Sequence, residues 1–346
     1  MQHEVKEPQL LLDRKGKIRE EGWARKPLWT YSRKAIKANA FRIKEWDYYA
    51  VINQAKGYAV TATVSDLGYA ALFALSYIDF EKQQCAQKDA IKFFTFGKIG
   101  LSPSSQEDSQ VSWANKTIRF AFIKKGKNRH LMFACPSLVL PDGKIGLDVD
   151  VTLTQEPELE SMNIATSWKE RRKSFYLNEK LNCLPVKGTI RRGLELETLL
   201  LGEAWGVLDW GRGKWTYQNQ WYWGSVSTLI ENVPFGFNIG YGFSDRTPAS
   251  ENALFYDGKI HKLEDIEFHI PKESYLQPWT FTSSDNRFNV TFEPAVDRAS
   301  TTNFIVIKSV QHQVFGYFSG SVVLDDGTNI QLNRLPGFAE EVFNRW

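Results

Sequence analysis

Apolar and polar residues alternate with the two-residue period of a β-strand along most of the chain. The clearest segments are rich in β-branched or aromatic residues and end at polar turns. We predict strands over 58–64, 117–123, 146–154, 235–243, 262–270, 287–292, 303–308 and 314–324. No long amphipathic helix is indicated, and only residues 73–84 predict a short one. The pattern therefore predicts a mainly β chain.

Short Asp-Gly sequences separate several of these strands. They occur at Asp142-Gly143, Asp257-Gly258 and Asp326-Gly327, and such turns join antiparallel neighbours. Two polar stretches, 101–110 and 155–173, are candidates for linkers or long loops. Many strands joined by tight turns are typical of barrels or sandwiches. The length of 346 residues favours two domains.

The composition is that of a globular protein, with 42% hydrophobic and 24% charged residues. The net charge is only +3, and the basic runs 124–127 and 169–173 are short and separate. They are typical of a solvated surface, so we expect no nucleic-acid partner. The chain shows no signal peptide and no apolar run of about 20 residues. We expect no transmembrane segment and a cytoplasmic location.

Motifs for cofactors and metals are absent from the sequence. The three cysteines form no CxxC pair, and the five histidines are scattered, which argues against a disulfide framework, a zinc knuckle or another metal site. There is no GxSxG, no phosphate-binding glycine loop and no GxGxxG after a strand. We therefore expect chemistry that needs no cofactor and no metal.

The densest aromatic segment surrounds one aspartate and one arginine. Asp209 and Arg212 lie among five tryptophans, Trp205, Trp210, Trp215, Trp221 and Trp223. Indole rings supply apolar faces and N–H donors, so the segment suits either a ligand pocket or a packed core. Asp209 and Arg212 are accordingly a structural ion pair, a ligand contact or the site of an acid catalyst.

Two further groups of acidic and aromatic residues are candidates for ligand contacts. On the strand that contains Glu45, Trp46 and Tyr48, alternation places Trp46 and Tyr48 on one face and Glu45 on the other. An interior lined by the aromatic face would be core packing, whereas one lined by Glu45 and Asp47 would mark a polar cavity, because buried carboxylates need partners. Asp66 with Tyr69 forms the second group, for which a turn is the alternative interpretation.

Several motifs together resemble one bacterial family. Residues 16–27, 44–49, 208–213 and 221–224, with 315–320 and 337–341, are similar to the family called domain of unknown function 2804. More distantly, the order of these motifs resembles carotenoid 1,2-hydratase (hydroxyneurosporene synthase) and AttH-like proteins, with Glu45-Trp46 and Asp209 at matching places. The chain departs from that pattern at Tyr222, where those proteins have an aspartate.

This resemblance implies a fold of two consecutive lipocalin-like (calycin) antiparallel β-barrels with few short helices. Residues 1–215 would hold an N-terminal segment and the first barrel, and residues 216–346 the second. It also implies an apolar cavity for a small hydrophobic molecule or lipid.

Three functions remain open at this point. The leading hypothesis is a protein that binds a small, largely hydrophobic ligand in a barrel cavity; its enzymatic version is a cofactor-independent hydratase or lyase with Asp209 as the acid. One alternative is a carbohydrate-binding or glycan-cleaving protein that pairs Asp209 with Glu45, Asp47, Asp66 or Glu340 in the same cleft. The other is a non-catalytic interaction protein. The sequence leaves the substrate and the oligomeric state open. The ligand contacts that we predict are Glu45, Trp46, Tyr48, Asp66, Tyr69, Arg212, Trp215, Trp221 and Trp223.

Overall fold

Strands make up nearly all the regular structure of this chain. The computed structural model describes residues 2–304 and 307–345. The helical elements in those residues are two 3-10 turns, Arg33–Ala35 and Ala40–Arg42. Near the N-terminus, β1 (Gln9–Leu10) pairs in parallel with β3 (Trp29–Thr30). The other strands described form two large sheets, one after the other along the chain.

The first sheet has 13 strands within the residues described. They are β2 (Gly22–Ala24), β4 (Ile43–Asn53), β5 (Tyr58–Asp66), β6 (Ala70–Asp79), β7 (Gln84–Phe93), β8 (Ser109–Ala114), β9 (Arg119–Lys125), β10 (Asn128–Val139), β11 (Ile145–Thr154), β12 (Met162–Trp168), β13 (Arg171–Arg192), β14 (Glu195–Leu199) and β15 (Trp205–Lys214). Their main order is β7-β6-β5-β4-β15-β13-β11-β10-β9-β8. The long strand β13 also pairs with β12 and β14, and β12 with β2.

The second sheet has nine strands within the residues described. They are β16 (Gln218–Ile230), β17 (Val233–Tyr241), β18 (Ala253–Tyr256), β19 (Lys259–Lys262), β20 (Ile266–His269), β21 (Trp279–Ser283), β22 (Phe288–Phe304), β23 (Ile307–Val323) and β24 (Asn329–Arg345). Their order is β19-β18-β17-β16-β24-β23-β22-β21-β20, and the neighbours are antiparallel.

Both sheets curl until side chains from distant strands meet across the concave face. In the first sheet, Phe73 of β6 stacks on Trp113 of β8, with ring centroids 4.1 Å apart. In the second, Phe237 of β17 contacts Phe288 of β22 at 5.2 Å. Each concave face holds its own apolar core. Two curled antiparallel half-barrels in tandem confirm the fold class expected from the sequence.

The two half-barrels pack against each other through their convex faces. Strands β4, β5, β13 and β15 are therefore buried on both faces, whereas β11 alternates between buried and more exposed residues. A strand that is covered on both faces has no solvated side, and so it reads as a nearly continuous apolar run. The space between the convex faces holds further apolar clusters that include Trp223 and Trp215.

One sequence prediction of secondary structure is wrong. The short helix expected over residues 73–84 is the end of β6, a turn and the start of β7. Phe73, Leu75 and Tyr77 recur every second residue in the core of the first sheet. Ile78 lies in the cluster on the other face, and this burial on both sides obscures the two-residue period.

Other predicted elements need smaller corrections. The stretch 155–173, expected to be a linker or loop, contains β12. The predicted strand 262–270 is broken between β19 and β20. The predicted strand 303–308 falls partly on residues 305 and 306, which lie outside the described residues; around them β22 ends and β23 begins. The Asp-Gly turns do join antiparallel strands, as between β18 and β19.

The predicted domain boundary at 215 and 216 falls in the connection between β15 and β16. Whether each half is an independent folding unit stays a prediction. In the described part of the chain, no helix has the length and apolar character that crossing a bilayer requires.

Candidate functional site

Two rows of side chains face each other between the convex faces. In the first sheet, Tyr48, Asp209 and Lys180 are direct cross-strand neighbours on β4, β15 and β13. In the second sheet, the facing row runs across five strands. Its members are Gly240, Trp223, Glu340, Gln313 and Arg298. Directly paired residues share a face, so the registers alone place each row together.

Lys180 and Asp209 form a buried ion pair at the centre of the first row. Lys180 Nζ lies 3.1 Å from Asp209 Oδ2 and 3.8 Å from the centroid of the Trp223 ring. The amide of Asn178 donates to Asp209 Oδ1 at 2.5 Å. Lys180 and Asp209 are 3% and 7% exposed. The pair is thus held by contacts from both sheets, because a buried ion pair needs further polar partners.

Glu340 is the central acid of the second row. Its carboxylate accepts from Trp221 Nε1 and from Gln313 Nε2, each at 2.9 Å. Burial raises the pKa of Glu340 to about 7, and Asp209 adds to the rise, against the opposing effects of the Trp221 hydrogen bond, Lys180 and Arg298. A carboxyl group with such a pKa can hold or release a proton near neutral pH.

Glu251 is a third buried acid, near the Lys180–Asp209 ion pair. It fills the space next to Gly240, where an added Cβ would collide with the Glu251 carboxylate. Burial, together with Asp209 and against Lys180, raises the pKa of Glu251. Tyr176 donates to Glu251 Oε2 at 3.1 Å. We call Lys180, Asp209, Glu251 and Glu340 the interface cluster.

A small pocket leads from the surface toward the interface cluster. Its volume is about 10 Å³, and Tyr176, Glu251 and Phe243 are among the residues that line it. That volume admits about one water molecule. Residues 242–252 cover the pocket, and they are held by the bond from Arg172 to Asp245 at 2.6 Å and by the contact between Phe243 and Tyr176 at 4.5 Å.

Aromatic rings form the walls around the interface cluster. Trp215 contacts Trp46, Tyr176 and Trp221 with centroids 5.6 to 5.7 Å apart. Tyr48 packs edge-on against Trp223 at 5.5 Å. These rings exclude water and keep the effective dielectric low, which strengthens the electrostatic interactions among the four titratable groups. Six of the predicted site residues, Trp46, Tyr48, Asp209, Trp215, Trp221 and Trp223, therefore meet at this interface.

The hypothesis that Asp209 pairs with Arg212 is wrong. Residues three apart in a strand point to opposite faces, so Arg212 lies on the concave side. It is fully buried there, binds Asp47 at 2.9 Å and donates to the carbonyl oxygens of Ser102 and Trp46. Its guanidinium stacks on Trp210 at 4.2 Å.

Three other predicted contacts also lie away from the interface cluster. Glu45 is on the concave face, where it accepts from Tyr31 and Arg33. Asp66 accepts from the backbone N–H groups of Gly68 and Gly97 at 2.8 and 2.9 Å, the turn role considered as the alternative. Tyr69 lies under the ammonium group of Lys44 at 4.6 Å. These residues stabilise the first sheet and its N-terminal segment.

Lys180, Glu251 and Tyr176 were missed by the sequence analysis. A partial signal for Lys180 and Tyr176 is present in β13, where Tyr176, Asn178 and Lys180 occupy alternate positions. The positions between and beside them are the core residues Phe175, Leu177 and Leu181, together with the acid Glu179. Glu251 lies outside the strands and shows no such signal. Within residues 2–304 and 307–345, no three His, Cys, Asp or Glu side chains are grouped to hold a metal ion.

Comparison with protein families gives one match over nearly the whole chain. The model of the family described as "Domain of unknown function (DUF2804)" matches residues 2–346. A search of curated proteins finds no significant match.

Solved structures of similar fold cover most of the chain. The AttH-like protein NE1406 from Nitrosomonas europaea has 12% identity and a TM-score of 0.52, covering 89% of this chain and 94% of that one. CghA with Sch210972 has 10% identity and a TM-score of 0.51, covering 88% of each chain. Kievitone hydratase from Nectria haematococca has 12% identity and a TM-score of 0.49, covering 92% and 95%. At these identities the likeness shows the fold alone.

Proposed function

We propose that this chain, which belongs to the family described as "Domain of unknown function (DUF2804)", is a cofactor-independent hydratase or lyase. The argument rests on the residues between the two sheets. The substrate would be a small, largely hydrophobic molecule bound between the two sheets. The observation that carries the proposal is Glu340, a fully enclosed carboxyl group whose pKa is raised to about 7. A proton donor with a pKa near the working pH is what this chemistry requires.

The residues have distinct roles in this proposal. In hydration, Glu340 donates its proton to one carbon of a double bond while water bonds to the other carbon and gives up a proton to Glu251. In the lyase direction, ionised Glu340 removes the proton from carbon and Glu251 protonates the leaving hydroxyl group. Lys180 and Asp209 form an ion pair that sets the electrostatic environment of Glu340. Beyond the effect of burial, Asp209 raises the pKa of Glu340, and Lys180 lowers it. Asp209 is thus a positioning residue here, and the acid role that the sequence suggested for it passes to Glu340. Glu251, at the pocket with Tyr176, exchanges a proton with water.

We place the ligand between the sheets because both concave faces carry packed apolar cores. The present pocket, with a volume of about 10 Å³, is too small for an organic substrate, so residues 242–252 must move to admit one. Phe243 contacts Tyr176, Trp215 and Trp221, and its displacement would uncover the aromatic walls. That CghA is described with Sch210972 fits a fold that accommodates a small molecule.

The carbohydrate alternative has less support. Glu340 and Asp209 are coupled acids, but Trp215 and Trp223 are only 3% and 4% exposed. Sugar recognition through tryptophan uses open ring faces, whereas these rings fill the space between the sheets. The non-catalytic alternative treats the interface cluster purely as a structural contact, and the experiment below separates it from catalysis.

The test begins with ligand capture. Native mass spectrometry of gently purified protein, followed by thermal shifts with a library of lipids and isoprenoids, identifies compounds that bind. Binders are then incubated in ¹⁸O-labelled water, and a hydratase gives a product that is heavier by one labelled water. We expect turnover in the wild type, and a loss of at least about 100-fold in Glu340→Gln, as for removal of a general acid.

Glu341→Gln is the matched control, because Glu341 is the next residue on β24 and binds Tyr222 and Tyr275 on the other face. We expect it to keep turnover. If Glu340→Gln retains full turnover, or no compound binds, the proposed function is wrong. A stable Glu340→Gln variant that binds ligand without turnover supports it.

A further inference from the structure

A basic pocket opens at one end of the first half-barrel. Its volume is about 640 Å³, and six of its lining residues are cationic: Lys17, Arg42, Arg171, Arg172, Lys173 and Lys214. Lys214 ends β15, where it pairs with Ile43 and Phe175, two core residues of the concave face. Lys214 therefore lies on the concave face of β15, opposite to the face that carries Asp209. None of the described residues that line it is acidic.

Most of this positive charge has no counter-charge in the protein. Arg172 binds Glu21 and Asp245, and the guanidinium of Arg42 donates to the carbonyl oxygen of Trp215. The other four cations, Lys17, Arg171, Lys173 and Lys214, form no ion pair with any acid in the described part of the chain. A cleft lined by one sign of charge concentrates ions of the opposite charge, so five cations in one concavity without an acidic partner among the described residues mark an anion site.

The cations also disfavour one another. Burial lowers the pKa of Lys214, and Arg42 and Lys173 lower it further. Burial and then Arg171 lower the pKa of Arg42. An anion that enters between these cations stabilises them, because its attraction to each cation offsets the repulsion among them.

The volume of the pocket and the kinds of donor groups in it limit which anions it can bind. Guanidinium groups match the oxygens of a phosphate in a two-pronged geometry, and lysines add point charges. A volume of about 640 Å³ lies within the range of about 300 to 1,000 Å³ typical of small-molecule sites. It is much larger than one phosphate ion requires. We propose that this pocket binds a small organic molecule that carries a phosphate group.

This second site is independent of the proposed function. Lys214 lies five residues beyond Asp209 on β15, which is about 17 Å along the strand. A ligand here would not contact the interface cluster. Arg172 is shared, because it also binds Asp245 in the segment that covers the interface pocket, so the test uses Arg171 and Lys214 instead.

The test compares two phosphorylated compounds with their unphosphorylated partners. Calorimetric titration at about 0.15 M salt uses AMP against adenosine and glucose 6-phosphate against glucose. We expect at least one phosphate ester to bind once per chain, at least about tenfold more tightly than its partner. Arg171→Gln and Lys214→Gln should each weaken that binding about tenfold, at unchanged Tm. Lys187→Gln, an exposed lysine on the far part of β13, is the control and should have no effect.

The proposal is overturned if neither ester binds at millimolar concentration. It is also overturned if the Arg171→Gln and Lys214→Gln variants bind the esters as tightly as the wild type does. If inorganic phosphate binds as tightly as the esters, the organic part is not recognised and the ligand class is wrong. If a short single-stranded RNA binds more tightly than either ester and depends on the same cations, the occupant is a polynucleotide instead.

Discussion

At the scale of single residues, the protonation of Glu340 links the site to stability. The ordinary pKa of 4.5 applies to the unfolded chain, whereas burial raises the pKa to about 7 in the folded protein. The stabilising contribution of the bound proton is therefore complete below about pH 4.5 and is lost as the pH rises through about 7. The folded state prefers a neutral side chain at this position.

Glu340→Gln should remove the loss of stability that accompanies ionisation of Glu340 at higher pH, because glutamine is neutral at every pH. We expect the free energy of unfolding of the variant, relative to wild type, to rise between pH 4.5 and pH 8 by up to about 3 kcal/mol. Urea unfolding at a series of pH values measures this difference. Glu251→Gln should give a change of the same sign, since the pKa of Glu251 is also raised by burial. A flat difference curve for Glu340→Gln contradicts the protonated acid.

The ion pair of Lys180 and Asp209 predicts a second residue-scale result. Lys180→Met leaves Asp209 without its ammonium partner at 3.1 Å, and breaking a buried pair costs about 3 to 5 kcal/mol. Adding Asp209→Asn should restore part of the lost stability, which a double-mutant cycle of unfolding free energies measures. Arg212→Met in the Asp209→Asn background should give no such rescue, because Arg212 binds Asp47. Rescue by Arg212→Met and not by Lys180→Met would reverse this assignment.

At the scale of elements, a bulge in β13 connects the two sheets. The pairing of β13 with β15 shifts between Leu181 and Leu184, and Cys183 has a φ of 58°. The shift frees Asn182 from the ladder and turns its amide toward β16 and β17. There it is within hydrogen-bonding distance of Ser225, Ser227 and the carbonyl oxygens of Val226 and Phe237.

Asn182→Ala should consequently destabilise the protein by about 2 to 3 kcal/mol, because buried carbonyl oxygens on the second sheet lose their donor. Asn163→Ala is the matched control, since Asn163 is equally enclosed but its amide donates only to Ser161. We expect the control to cost less. Chemical denaturation of both variants measures the difference, and equal losses would show that the bulge does not hold the sheets together.

The element scale also explains what the sequence could predict. The strands that face water on one side, such as β9 and β11, show a clear two-residue period and were found. Strand β5 is covered on both faces, but its β-branched residues Val60, Thr61, Thr63 and Val64 still indicate a strand. In the segment that forms β6 both faces are covered and Ile78 is the single β-branched residue, so nothing in the segment counters the helix prediction. The registers that bring Asp209 to Lys180, and Glu340 to Trp223, depend on pairing between residues far apart in sequence. A single sequence carries no direct signal for that pairing.

At the scale of the whole molecule, the arrangement differs in one respect from two barrels that act separately. The resemblance in sequence implied a ligand cavity within a barrel. Four of the five tryptophans instead lie in the space between the two half-barrels, namely Trp205, Trp215, Trp221 and Trp223. There, Trp223 contacts Tyr48 and Lys180 of the other sheet. The site exists only when both sheets are present, because each contributes one row of side chains.

This shared site predicts how the two halves behave when they are separated. On the convex face of the second sheet, Phe315, Trp223 and Phe338 are 0%, 4% and 0% exposed in the whole chain, and the first sheet covers them. Without it, those rings would face water at a cost of about 1.5 to 3 kcal/mol for each side chain. Residues 216–346 expressed alone should therefore show poor NMR dispersion and aggregate, whereas co-expression with residues 1–215 should restore a soluble complex. The intact chain should unfold in one transition by calorimetry and by tryptophan fluorescence. A sharp, native-like spectrum from residues 216–346 alone would show instead that the boundary predicted at 215 and 216 separates two independent domains.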